Sequence, residues 1–105
     1  MKFAVIGAGN GGQAIAGYLG NIGHDVSLYD IDVNRIEKIQ QKGGIQLQGK
    51  LNGFGKLICA TTEISEVVHH ADVIMVTTTA NAHLTVAESI APYIEDGQVI
   101  ILNPG

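Results

Sequence analysis

Six residues between a short apolar run and a helical pattern, Gly7-Ala8-Gly9-Asn10-Gly11-Gly12, have the spacing of a loop that carries phosphate. Gly7 makes the tight turn out of a strand, and Gly9 lets backbone approach a pyrophosphate. Gly12 lets the next helix lie close to the sheet. The helix that follows brings unpaired N–H groups and about half a positive charge to its first turn. A second apolar run, Val26-Ser-Leu-Tyr29, ends on Asp30, 18 residues past Gly12. A carboxylate there accepts both hydroxyls of a ribose and repels a 2′-phosphate. Nothing basic follows Asp30 immediately, and Arg35 is five residues on. These features predict a dinucleotide site formed by Gly7 to Gly12 and Asp30, with NAD preferred over NADP.

Other residues with chemical potential are fewer. Thr77, Thr78 and Thr79 follow the apolar run Asp72-Val-Ile-Met-Val76, where a strand leaves the sheet at its switch point. Their hydroxyls or backbone are placed to reach the nicotinamide-side ribose, or they simply close the strand. His83 falls in the first turn of the next helix, near the same crevice, without an evident carboxylate to orient it. His24, His69 and His70 sit at helix ends, where a negative dipole end favours them structurally. No set of His, Cys, Asp and Glu has metal-ligand spacing, so no metal is expected. No acid–base pair is complete, so no catalytic residue is assigned.

The elements that must hold these residues alternate. Strand Lys2–Ile6 precedes a helix from about Gly11 with Ile15, Leu19 and Ile22 on one face, and Gly23 stops it. Strand Asp25–Tyr29 precedes a helix capped by Asp32, with Val33, Ile36 and Ile39 inward and Gly43 beyond its end. The segment 45–60 reads differently. Ile45-Gln-Leu-Gln-Gly49 and Leu57-Ile-Cys-Ala60 are β-like, and Asn52-Gly53 and Gly55 between them signal turns. A small β-hairpin insert at the sheet edge is expected. Thr62 is the expected cap of a short helix carrying Ile64, Val67 and Val68. Asn81 is the expected cap of a helix whose Leu84, Ala87, Ile90, Ala91 and Ile94 face the sheet, bent or ended at Pro92. Asp96-Gly97 turns into a last strand, Val99–Leu102. The prediction is an α/β chain with a doubly wound, mainly parallel, Rossmann-like sheet in order 3-2-1-4-5.

Composition narrows the alternatives. The 105 residues are 46% hydrophobic and 15% charged with net charge −4, which fits one compact domain with parallel strands covered on both faces. No basic cluster points to nucleic acid. The apolar runs fall far short of the ~20 residues needed to span a bilayer, and the N-terminus lacks the pattern of a signal peptide. One cysteine, Cys59, cannot form an internal disulfide, and a reduced cytoplasmic setting is expected. The edge Val99-Ile-Ile-Leu102 is apolar with no later strand. It is expected either to continue into a longer protein or to pair with another copy as a homo-oligomer.

The strings Gly7-Ala-Gly-Asn-Gly-Gly12, Gly23-His-Asp-Val and Gly43-Gly-Ile-Gln-Leu-Gln-Gly49 together resemble an opine dehydrogenase of the octopine/nopaline family. So do Ala71-Asp-Val-Ile-Met-Val76, Ala80-Asn-Ala-His83 and the run from Asp96 through Asn103-Pro-Gly105. The resemblance covers essentially the whole chain and is similar in kind to glycerol-3-phosphate dehydrogenases and ketopantoate reductases. It implies an NAD-binding N-terminal domain, with Gly7, Ala8, Gly9, Asn10, Gly11, Gly12 and Asp30 at the cofactor. It also implies an enzyme that condenses an amino acid with a 2-keto acid, using NAD(P)H as hydride donor. The family's His–Asp pair for proton handling would lie in a second domain beyond Gly105, so residues 1–105 read as a truncated domain. The alternatives are a free-standing NAD-binding module or subunit without catalysis of its own, or a relative of glycerol-3-phosphate dehydrogenase or ketopantoate reductase.

Overall fold

A computed structural model describes residues 1–48 and 53–102. Five parallel strands form the main sheet: β1 (Lys2–Ile6), β2 (Asp25–Tyr29), β5 (Cys59–Thr61), β6 (Val73–Val76) and β7 (Val99–Leu102). Their spatial order is β5-β2-β1-β6-β7, which is 3-2-1-4-5 counting these strands alone. The helices are α1 (Asn10–Asn21), α2 (Val33–Lys42), α3 (Ile64–Val68) and α4 (His83–Ile90). A separate antiparallel pair, β3 (Gly44–Leu47) and β4 (Gly53–Lys56), completes the fold.

The central strand explains the two-sided core. Successive side chains of a strand point to opposite faces, so Val5 joins one apolar cluster and Ala4 and Ile6 join another. Val5 packs with Val26, Leu28, Ile36 and Ile39 on the face covered by α1 and α2. Ala4 and Ile6 pack with Val67, Val68, Ile74 and Ile90 on the face of α3 and α4. All three β1 residues are fully buried.

Helix ends follow local chemistry, with two shifts from expectation. Asp32 caps α2 by accepting the Arg35 N–H at 3.1 Å, and Gly43 ends it at φ +75°. Thr62 does not cap α3. The Thr61 hydroxyl, one residue earlier, accepts the Glu63 N–H at 3.0 Å and donates to Glu66 at 2.9 Å, because β5 delivers that side chain inward to the first turn. Asn81 does not cap α4 either. It lies inside a short 3-10 turn, Ala80–Ala82, that precedes the helix. Pro92 ends α4 as its missing N–H requires, in a second 3-10 turn.

The hairpin is where tertiary packing overrides the sequence pattern. Leu57–Ala60 is not its second strand. Cys59–Thr61 instead pairs in parallel with β2 as an edge of the main sheet, and the hairpin partner is the glycine-rich Gly53–Lys56. Nor is the hairpin at the sheet edge, for it lies on α1. A Cβ on Gly55 would overlap the Gly17 carbonyl oxygen, and one on Gly20 would stand 2.5 Å from the Lys56 oxygen. The inward face of α1 is accordingly Gly12, Ala16 and Gly17. Ile15 and Leu19 pack at the margin of the core, and Ile22 is exposed. Val33, Leu84 and Ile94, expected to face inward, are exposed as well, while Val86 takes the inward place on α4. The turn residue Asn52, Gly49 and the terminal Asn103-Pro-Gly105 lie outside the described residues.

Gly55→Ala should therefore destabilise the chain by about 1–3 kcal/mol through overpacking against the α1 backbone. Gly11→Ala, in a helix position that meets nothing within 4 Å, should raise stability by about 0.5–1 kcal/mol. Thermal and urea denaturation of the two variants measure the difference.

Candidate functional site

The glycine loop is held tightly beneath and left open above. Gly7 sits at φ +114°, a conformation open to glycine because it has no Cβ. Its N–H donates to the Tyr29 carbonyl at 2.8 Å. A Cβ on Gly12 would overlap the Gly7 carbonyl oxygen and come within 2.7 Å of Thr77 Oγ1. Glycine at both positions lets α1 start directly over the end of β1. Gln13 ties the other side, donating from Nε2 to the Ala8 carbonyl at 2.8 Å and from its backbone to Gly9 at 2.9 Å. Gly9 and Gly11, by contrast, are exposed, and a Cβ on either meets nothing within 4 Å.

That open rim is also the electropositive end of α1. Gly9 offers no capping side chain, and no acidic residue stands in the first turn. The first-turn N–H groups of a helix have no intrahelical partners, so an anion above Gly9–Gly11 would cap α1 as the Asp32 carboxylate caps α2.

Asp30 closes the loop from the side. Its Oδ2 accepts the Ala8 N–H at 2.7 Å, and its Oδ1 accepts the Asp32 N–H at 2.9 Å. Arg35, five residues on in the sequence, comes close to it in space. One turn of α2 swings Arg35 back, and its Nη1 stands 3.5 Å from Asp30 Oδ2. Beside this pair a groove of about 490 Å³ opens between α2 and β3, with Arg35, Lys38 and Lys42 along it. Burial, reinforced by Asp30 and Glu63, pushes the Tyr29 phenol above its ordinary pKa.

At the switch point the three threonines differ. The Thr77 hydroxyl belongs to the loop, lying 2.9 Å from the Gly7 oxygen and 3.1 Å from the Ile6 oxygen as their donor. The Thr78 hydroxyl oxygen is buried and has no hydrogen-bond partner among the described residues. Thr79 is exposed. His83 folds back over this turn, with Nε2 3.2 Å from the Thr78 carbonyl, a hydrogen bond in the tautomer that carries the proton there. Among the described residues no carboxylate pairs with His83.

The remaining candidates lie elsewhere. His24 stacks edge-on against Phe3, with ring centroids 5.0 Å apart. Burial, with Glu66 nearby, pushes the thiol of the half-buried Cys59 up, which disfavours its thiolate. His69, His70 and Glu95 converge at the opposite end of the sheet, although 25 residues separate His70 from Glu95 in sequence.

Comparison with known proteins adds three findings. The family of the NAD-dependent glycerol-3-phosphate dehydrogenase N-terminus matches residues 2–103. An opine dehydrogenase of Arthrobacter sp. (strain 1C) is 45% identical over 104 residues, covering 98% of this chain and 29% of that protein. A glycerol-3-phosphate dehydrogenase [NAD(P)+] of Agathobacter rectalis is 31% identical over 103 residues, covering 95% of this chain and 30% of that protein. The chain thus spans under a third of the length of these relatives. Octopine dehydrogenase in complex with NADH and agmatine shares the fold at a TM-score of 0.79 and 22% identity, over 97% of this chain and 28% of that one.

A buried hydroxyl without a partner costs roughly 1–3 kcal/mol, and an apolar isostere removes that cost. Thr78→Val should leave the melting temperature of the free chain unchanged or higher. Thr77→Val should lower it, because the Gly7 carbonyl loses its hydroxyl donor while the Ile6 carbonyl keeps the residue 77 N–H. Differential scanning calorimetry of both variants reads the contrast.

Proposed function

The chain belongs to the family of N-terminal domains of NAD-dependent glycerol-3-phosphate dehydrogenases, and from that premise we propose that residues 1–105 are the NAD-binding domain of an opine-dehydrogenase-like oxidoreductase. The observation that carries the site is the uncapped start of α1 above an open Gly9–Gly11 rim, with the Asp30 carboxylate beside it. The site residues assigned are Gly7, Ala8, Gly9, Asn10, Gly11, Gly12, Asp30, Thr77 and Thr78.

Each has a separate task. The first-turn N–H groups of α1 receive the pyrophosphate, and Gly9 and Gly11 keep side chains out of its way. Gly7 and Gly12 shape the turn. Asp30 accepts the adenosine ribose hydroxyls and disfavours a 2′-phosphate. Thr77 holds the loop rather than the ligand, and Thr78 offers its unpaired hydroxyl on the nicotinamide side. When bound, the nicotinamide supplies or accepts a hydride. No described residue of this chain is assigned the accompanying proton transfer, which falls to a further domain in the complete enzyme.

The substrate reading rests on relatedness. The 45% identity with an opine dehydrogenase, against 31% with a glycerol-3-phosphate dehydrogenase, supports reductive condensation of an amino acid with a 2-keto acid. The runner-up is oxidation of glycerol 3-phosphate, favoured by the family's own description. NADH consumption by the complete polypeptide with amino acid plus keto acid, compared with NAD reduction by glycerol 3-phosphate, separates the two.

For the site itself, calorimetric titration should show NADH binding more tightly than NADPH. Asp30→Ala should narrow that preference by about tenfold, or ~1.4 kcal/mol. Gly12→Ala should abolish binding of both by lifting α1 from the loop, with helical circular dichroism retained. Equal affinities that Asp30→Ala leaves unchanged would remove Asp30 from the site.

A further inference from the structure

At the end of the sheet opposite the glycine loop, two turns meet. One joins α3 to β6 and carries His69 and His70. The other leads from α4 to β7 and carries Glu95. Neighbouring residues in extended or helical backbone rarely present their side chains to one point. Here His70 adopts φ +67°, in the left-handed region where histidine is one of the better tolerated residues. The two imidazoles then lie together, with ring centroids 4.1 Å apart. His69 Nδ1 is 3.5 Å and His70 Nδ1 is 3.9 Å from the same oxygen, Glu95 Oε1.

We propose that His69, His70 and Glu95 form a binding site for a divalent transition-metal ion of the zinc type. One ligand atom from each residue can be chosen so that all lie within 4.8 Å of one another. Zinc–ligand bonds of ~2.0–2.1 Å in a tetrahedron place ligand atoms about 3.3–3.4 Å apart. The two histidine–carboxylate edges are therefore within about 1 Å of the bound geometry. Two imidazoles and a carboxylate are a borderline donor set that favours Zn²⁺, Ni²⁺ and Cu²⁺ over Mg²⁺ or Ca²⁺. Three protein ligands leave the fourth position to water, and the side chains, 40–70% exposed, leave the ion an open path.

The ligands are also held in place, which two flexible surface turns alone would not achieve. Gln98 bridges them: its Nε2 donates to the Val68 and Ala71 carbonyls at 2.7 and 2.9 Å. Its Oε1 accepts the Glu95 N–H at 2.7 Å. The His70 N–H donates to Glu95 Oε1 at 2.9 Å and fixes the carboxylate, leaving Oε2 without an assigned role. Hydrogen bonds of this supporting kind orient ligands and typically change affinity by roughly 10–100-fold when lost. A bound ion would clip the start of β6 to the start of β7. It would do so away from the cofactor loop, so the inference stands whether or not the NAD assignment does.

The test is titration of the 105-residue chain with ZnCl₂, followed by calorimetry and thermal melting, with Co²⁺ as an optical probe of coordination. The expected result is one Zn²⁺ per chain, a raised melting temperature and the visible band of four-coordinate Co²⁺. His69→Ala and His70→Asn should abolish stoichiometric binding. Asparagine keeps the left-handed backbone tolerable, and equal melting temperatures of metal-free variant and parent verify the fold. Glu95→Gln retains an oxygen for the His70 N–H and should lose binding at least tenfold. Gln98→Ala should weaken binding while keeping one site per chain, and Cys59→Ser should bind as the parent does. The proposal is overturned by no binding in the parent, by binding that survives His69→Ala and His70→Asn together, by loss of binding in Cys59→Ser, or by one ion shared between two chains.

Discussion

The contact between Gly12 and the carbonyl of Gly7 sets the geometry around the glycine loop. A single added carbon at Gly12 would occupy the position of that oxygen, so α1 can begin where it does only with glycine there. The same carbonyl accepts the Thr77 hydroxyl, which ties the carboxyl end of β6 to the carboxyl end of β1. Strand, loop, helix and switch point are thus joined within one residue's volume. The rim formed by Gly9 and Gly11 stays open because the tight packing is confined to the underside.

A second layer of backbone-to-backbone packing supports the first. Gly17 and Gly20 on α1 meet Gly55 and Lys56 of the hairpin with no side chains between them. The hairpin thereby backs α1, and its Ile45 joins the apolar cluster that α1 and α2 form on the main sheet. The high glycine content of this chain owes five of its 14 glycines, Gly7, Gly12, Gly17, Gly20 and Gly55, to these two close approaches. It costs conformational entropy in the unfolded state, and the buried apolar clusters on both sheet faces must offset that.

Electrostatics at the two helix starts divides labour. The Asp32 side chain satisfies the first turn of α2, whereas α1 begins with bare glycine and no nearby acid in its own first turn. An uncapped helix start is a local cost that a protein accepts where a ligand will supply the anion. Asp30 then shapes the side of that site while its partner Arg35 limits the negative field. At the far end of the sheet Glu95 carries the opposite signature. The His70 N–H, with the imidazoles of His69 and His70 beside it, holds its carboxyl below the ordinary range. That preference for the ionised form operates above the ordinary glutamate pKa and fades as acid takes the pH through the lowered value.

Local chemistry alone determined much of this protein. Glycine spacing, the Asp30 position, the Asp32 and Gly43 ends of α2, and the alternating strands could be read directly. Each of these depends on a residue's own backbone preference or on neighbours within one turn. Tertiary structure decided the rest. It made the glycine-rich Gly53–Lys56 a strand, because only contact with α1 rewards a segment that by itself reads as a turn. It selected Ala16 and Gly17 over larger neighbours for the inward face of α1, since separation between backbones, not hydrophobicity, governs that interface. It brought Arg35 to Asp30 and Glu95 to the paired histidines. Such meetings are set by how helices dock on a twisted sheet, and no spacing along the chain encodes them.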